Sequence, residues 1–164
     1  MRIVVCVKHV PDMQSERRFE GGRLVRGEDD VLNELDENAI EAAVQLKETE
    51  EDTGREAEVV ALTMGPEDAE DALMRALQMG ADRAYIVSDE FLEGSDVITT
   101  ASVLSVAIAK IADECGPVDL VITGMASLDA MTSMLPGALA AKAHMPLLGL
   151  ARSMSVEDGT VTIE

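Results

Sequence analysis

Apolar runs of strand length alternate with amphipathic stretches of helix length along most of this chain. Ile3 to Val7 is the first run, continuous enough to be buried on both faces of a parallel sheet. From Asn33 the period becomes helical, with Ala39, Ile40, Ala43, Val44 and Lys47 recurring; Asn33 is placed to cap the first turn and Asp36 stands at capping-box spacing. The acidic stretch Glu48 to Glu56 is expected to end that helix and lead into a second strand, Val59 to Thr63. Pro66 suits the first position of a helix striped by Ala69, Leu73, Ala76 and Leu77. Ala84 to Val87 reads as a third strand, followed by a helix capped by Ser95 and Asp96 and lined by Ile98, Ala101, Leu104, Ile108 and Ile111. Val118 to Thr123 is the fourth strand, and Met131 to Ala143 a helix interrupted near its start by Pro136-Gly137. Leu147 to Ala151 and Thr160 to Ile163 are expected as last strands, with Glu157-Asp158-Gly159 a turn between them. Near the N-terminus, Phe19 to Arg26 reads as a polar hairpin around Glu20-Gly21-Gly22-Arg23, outside the main sheet.

This rhythm predicts an α/β fold: a doubly wound, mostly parallel sheet flanked by helices, Rossmann-like, with a small N-terminal hairpin insertion. The 164 residues suit a single domain, 1–164. With one Tyr, two Phe and no Trp, the core falls to Ala, Val, Leu, Ile and the ten Met.

Charge narrows the partners. Thirteen Lys and Arg against 32 Asp and Glu leave −19, which repels phosphate backbones and anionic membrane surfaces, so nucleic acid and stable membrane insertion are not expected. The opening Met1-Arg2-Ile3-Val4-Val5-Cys6-Val7 is too short for a signal peptide, and a cytoplasmic location is expected. Cys6 and Cys115 have no metal-ligand spacing and read as reduced thiols, Cys6 as a small core residue; His9 and His144 lack second ligands, and no metal site is assigned.

In a doubly wound sheet, ligands settle at the carboxyl ends of the strands where strand order reverses. Four loops then matter: Val7-Lys8-His9, Thr63-Met64-Gly65, Ser88-Asp89 and Gly124 to Ser133. The last holds Ser127, Asp129, Thr132 and Ser133 beside a helix start, a pattern that serves for capping and equally for an anion such as phosphate. No Gly-x-Ser-x-Gly, Walker or Gly-x-Gly-x-x-Gly signature is present, so no catalytic residue is assigned. The acidic clusters Glu28-Asp29-Asp30 and Glu50-Glu51-Asp52 read as solvated faces.

Three blocks carry a resemblance: Val5-Cys6-Val7-Lys8-His9-Val10-Pro11-Asp12, Leu32 to Ala43 with Asn33-Glu34-Leu35-Asp36, and Ala76 to Ala84 with Met79-Gly80-Ala81-Asp82-Arg83. Together with Met64-Gly65-Pro66 they resemble the beta subunit of electron transfer flavoprotein over the whole chain. The resemblance implies a heterodimeric, FAD-containing electron carrier between dehydrogenases and an acceptor, with the alpha subunit as partner and FAD shared with it. It also implies a beta subunit that is not itself an enzyme and buries a structural AMP, or a second FAD in electron-bifurcating members. The nucleotide would touch Cys6, Asn33, Glu34, Leu35, Asp36, Met64, and the stretch Val121, Ile122, Thr123, Gly124, Met125, Ala126, Ser127, Asp129, Thr132 and Ser133. Here Gly124 and Asp129 are kept, while the basic residue and glutamines usual in that loop are not. Family members continue into a C-terminal segment that embraces the alpha subunit; its absence predicts exposed apolar surface. The alternative is a stand-alone adenine-nucleotide-binding regulator resembling universal stress proteins, whose second phosphate-loop glycine Gly124-Met125-Ala126-Ser127 lacks.

Overall fold

The structure, a computed structural model, describes every residue except Glu28. Four strands form the central parallel sheet: β1 (Arg2–Cys6), then, after β2 (His9–Pro11), β3 (Phe19–Glu20), β4 (Arg23–Leu24), β5 (Asp30–Leu32) and the helix α1 (Glu34–Asp52), β6 (Glu58–Met64). Helix α2 (Glu70–Gln78) leads to β7 (Arg83–Val87), and α3 (Val97–Cys115) to β8 (Leu120–Thr123); α4 (Leu135–Ala143), β9 (Met154–Glu157) and β10 (Thr160–Ile163) follow. The spatial order is β7-β6-β1-β8. The chain therefore winds outward from β1 to β7, then returns across the sheet to lay β8 on the other side of β1, and the reversal falls between β1 and β8. The order and the parallel pairing are those of the doubly wound class read from the sequence.

Alternation along each strand divides the core into two layers. Ile3, Val5, Val59 and Ala61 face α1 and α2, joined by Met154 and Val156 of the β9–β10 hairpin. Val4, Cys6, Val60 and Leu62 face Ala101, Leu104, Ile108 and Ile111 of α3 and Leu139 of α4. Strands buried on both faces show no polar alternation, which is why they stand out as unbroken apolar runs. Register aligns Cys6 with Leu62 on one side and Thr123 on the other, so the strand ends share one edge of the sheet. At the opposite edge Tyr85 of β7 places its hydroxyl 3.2 Å from the Cys115 sulfur at the end of α3.

The Phe19–Arg26 hairpin is present, its two-residue turn made by Gly21 and Gly22 at positive φ, which suits the twist of paired strands. It rides on a second two-stranded pair, β2 with β5, that carries the chain from β1 to α1. Asp96 caps α3, its carboxylate accepting from the Thr99 amide at 2.8 Å.

Several expectations are corrected. Helix α1 runs on to Asp52 because Glu50 is no solvated acid: it is buried and grips the Arg55 guanidinium through two bonds of 2.7 and 2.8 Å, which hold its carboxyl below the ordinary range. Of the other acidic cluster, Glu28 lies outside the described residues, and Asp30 is half-buried in β5. Ile98 stands exposed at the start of α3 rather than in its stripe. Residues 131–134 are not helical; Met131 and Ser133 hold positive φ, and α4 begins at Leu135 with Pro136 in its first turn, where the missing N–H has no cost. Leu147 to Ala151 is not a strand, because no described strand lies beside it; Leu147, Leu148 and Leu150 are exposed instead. The strand that pairs with Thr160–Ile163 is Met154–Glu157.

Candidate functional site

A crevice of about 1140 Å³ opens along the carboxyl ends of the strands. Its walls are the loops after β1, β6, β7 and β8, the four named by the strand-end rule, with Leu24, Arg26 and Gly27 from the hairpin insertion. Cys6, Met64, Thr123, Gly124, Met125, Ala126, Ser127, Thr132 and Ser133 all reach this wall, as does Asp36 from the first turn of α1. Leu135 and Pro136 of α4 face it too, and α4 begins without a side-chain cap, so its positive end is open to an anion.

Asn33, Glu34, Leu35, Val121, Ile122 and Asp129 do not line the crevice. Asn33 is completely buried; instead of capping α1, its amide donates to the Ala126 carbonyl at 2.9 Å while its side-chain oxygen accepts from the Leu128 amide at 3.0 Å. The capping reading fails because the buried Ala126 carbonyl and the partly buried Leu128 amide have a stronger need of a partner than a helix start that borders an exposed Glu34. Asp36 likewise turns away from a capping box: its carboxylate accepts from the Lys8 amide at 2.8 Å, at the end of β1. Glu34 is exposed, Leu35 offers its backbone to Gly124, and Val121 and Ile122 lie inside β8, packed into opposite layers.

Gly124 is where these parts meet. A Cβ there would lie 2.2 Å from an Asp36 carboxylate oxygen and 2.9 Å from the Leu35 carbonyl oxygen, so only glycine lets β8 approach α1 this closely. Asn33 and Asp36 thus pin the loops on both sides of the strand reversal to one helix start.

Burial pushes the Asp36 carboxyl up to about 6, against hydrogen bonds from Asn33 and the Lys8 and Gly124 amides and the Lys8 charge, which favour its ionised form. The folded protein thus holds this proton more tightly than the unfolded chain, where an aspartate titrates near pH ~4. Its contribution to stability is complete below that value and is lost as pH rises to about 6. Urea unfolding of the wild type and of Asp36→Asn across this window should show the wild type losing about 2–3 kcal/mol relative to the variant as pH rises. A constant difference would contradict it.

Cys6 is buried beside Asp36, and burial first, then that neighbouring charge, raises its thiol to about 12; it is a neutral thiol at ordinary pH.

Asp129 does not line the crevice. Burial would raise its carboxyl, but hydrogen bonds from Lys8 and Arg26 and the Lys8 charge outweigh burial and hold it well below the usual range. Lys8 Nζ lies 2.9 and 3.0 Å from its two oxygens, and Arg26 Nη2 bonds one of them. Arg26 and the Lys8 side chain are the site residues that sequence reasoning missed. The available signal was scarcity: in a chain with 13 basic residues, two of them flank the crevice.

The fold and crevice define a doubly wound, Rossmann-like α/β domain. Comparison with known proteins then fixes the family: the electron transfer flavoprotein domain matches residues 22–164, and the chain belongs to that family. It is 39% identical over 165 residues to the electron transfer flavoprotein subunit beta of Mycobacterium tuberculosis (strain H37Rv), covering 99% of this chain and 60% of that protein. It is 36% identical over 169 residues to the protein of the same name from Megasphaera elsdenii (100% and 61%). It is also 36% identical over 160 residues to the caffeyl-CoA reductase-Etf complex subunit CarD of Acetobacterium woodii (96% and 58%). The chain thus spans about 60% of the length of these relatives. Among the described residues no helix is long and apolar enough to cross a membrane.

Proposed function

We propose that this chain is the nucleotide-binding portion of an electron transfer flavoprotein beta subunit, which works with an alpha subunit to carry electrons from dehydrogenases to an acceptor. The crevice holds an adenine nucleotide as a structural element, AMP or, in a bifurcating assembly, FAD. The supporting observation is the position of the crevice at the reversal of strand order, with the backbone of Gly124 to Ser127 in its wall. Its volume of about 1140 Å³ leaves room for a mononucleotide, and the open positive end of α4 suits a phosphate. A bound flavin would supply the one- and two-electron chemistry.

This chain's own residues bind and position. Met64 and Cys6 offer a small apolar floor, Gly124 lets the loop after β8 pack close against the start of α1, and Asn33 and Asp36 hold that backbone in place. The exposed apolar side chains Leu147, Leu148 and Leu150 are consistent with a further chain or segment packing there in the assembled protein.

The test is to release small molecules from the purified chain with acid and identify them by chromatography and mass spectrometry. AMP near one per chain is expected; FAD would assign the bifurcating branch. Protein that carries no nucleotide, and binds none when AMP or FAD is added, would overturn the proposal.

A further inference from the structure

We propose that the insertion, residues 12–27, is a strap across the mouth of the crevice, rooted in the β2–β5 pair and clasped at its far side by the ion pair of Arg23 with Glu93, and that opening of this clasp gates entry and exit of the nucleotide. The proposal rests on the adenine-nucleotide reading above and adds what controls exchange at that site.

The insertion reaches each of the four loops that wall the crevice. On one side Arg17 Nη2 donates to the Leu128 carbonyl at 3.1 Å, while Arg26 donates to the His9 carbonyl at 3.3 Å and pairs with Asp129, so the strap touches the loops after β1 and β8. On the opposite side Arg23 Nη1 lies 2.7 Å from a Glu93 carboxylate oxygen in the loop after β7. A Cβ on the neighbouring Gly94 would stand 2.8 Å from the Arg23 guanidinium, so that side chain lies close against the loop. Between the two sides, a Cβ on Gly27 would stand 3.4 Å from an Asp68 carboxylate oxygen, after β6. Leu24, Arg26 and Gly27 themselves line the crevice.

The fastenings of the strap are polar. Among the described residues none from 12 to 27 belongs to either layer of the core, and Met13 and Phe19 are 56% and 68% exposed. A segment with few buried apolar contacts opens at a free energy far below that of global unfolding. The root is different: β2 pairs with β5, Val10 and Leu32 are buried, and the Asn33 amide donates to the Lys8 carbonyl at 2.9 Å. Opening therefore has a fixed root and a free end, and the chain can turn at Gly27, which holds φ +89° where the insertion returns towards β5.

The two attachments also differ in depth. The Asp129 side chain under Arg26 is 2% exposed, whereas Arg23 and Glu93 are 65% and 76% exposed. A solvated ion pair is weak and readily exchanged for water, so the Arg23–Glu93 side releases first and uncovers the crevice along the loops after β6 and β7.

The test is stopped-flow binding and release of the fluorescent N-methylanthraniloyl derivative of AMP, chased with excess AMP, on the full chain freed of endogenous ligand. The variants are Arg23→Glu, Glu93→Arg and the double exchange, all at exposed side chains that the fold does not need. Each single variant sets like charges at the clasp and should speed release about fivefold, and association with it, so that affinity changes less than either rate. The double variant restores an opposite pair and should bring both rates back to within about twofold of the wild type. A general effect of charge on an anionic ligand predicts something else, because Arg23→Glu repels the anion and Glu93→Arg attracts it. Opposite changes in the two single variants would therefore overturn the strap. Unchanged rates, or a double variant as fast as the singles, would also overturn it and leave the nucleotide reading standing. A wild-type chain that binds neither the probe nor AMP would overturn both.

Discussion

Gly124→Ala is expected to lower the unfolding free energy by about 3–4 kcal/mol, because the new methyl group meets rigid neighbours on the α1 side. The closest atom is an Asp36 carboxylate oxygen, and the carboxylate could swing aside only by breaking the bond that its other oxygen accepts from the Lys8 amide. That movement would strand a partly buried donor at the end of β1. Beyond it lie the Leu35 carbonyl oxygen and carbon at 2.9 and 3.0 Å, which cannot move without shifting the first turn of α1. Urea unfolding gives the free energy, and the same preparation shows whether nucleotide content falls with it. Gly137→Ala is the control: a Cβ there meets nothing within 4 Å, and alanine favours the helix it sits in, so that variant should be unchanged or stabilised by up to ~1 kcal/mol. Equal effects at the two glycines would refute the close-approach argument.

Asn33→Ala should cost a comparable amount, about 3–4 kcal/mol, by a different route. The methyl group fits, but the Ala126 carbonyl loses its donor and the Leu128 amide its acceptor, both in a loop held to α1 by this side chain. Amide hydrogen exchange separates this from general destabilisation: Leu128 should lose protection well below the concentration of denaturant that unfolds the sheet, while the amides of β1 and β6 stay protected. If Leu128 exchanges only with global unfolding, Asn33 is not the tether.

The parts of the fold that were legible in the sequence are those whose burial leaves an unambiguous mark. The expected bounds of β1, β6, β7 and β8 lie within one or two residues of the strands, and for the central β1 and β6 the reason is that strands sandwiched between helix layers are apolar without interruption. The misread segments are those where apolar residues lack a partner or polar residues have one. Leu147, Leu148 and Leu150 imitate a strand yet have no described neighbour to pair with, and Glu50 imitates a solvated acid yet has Arg55. Met154 to Glu157 alternates as an exposed hairpin strand should, but a period of two over four residues is a weak signal beside the longer runs around it.

At the site, topology was more legible than role. The rule of strand ends selected the crevice loops, and Asn33, Asp36 and Gly124 were singled out as residue types. Their partners were not readable, because the bonds of Asn33 span 93 and 95 positions and a local motif such as the capping box competes for the same side chain. Arg26 was hidden for another reason: the insertion has no periodicity from which to tell an inward side chain from an outward one.

The contact between Tyr85 and Cys115 makes the chain its own optical instrument. With one tyrosine and no tryptophan, near-ultraviolet absorption of the polypeptide is faint, so an adenine or isoalloxazine chromophore stands out almost without background. All tyrosine emission comes from a single phenol lodged between an edge strand and the end of α3, beside a thiol, a group whose contact would be expected to quench it. Its brightening would report the parting of those two elements alone, with no label attached.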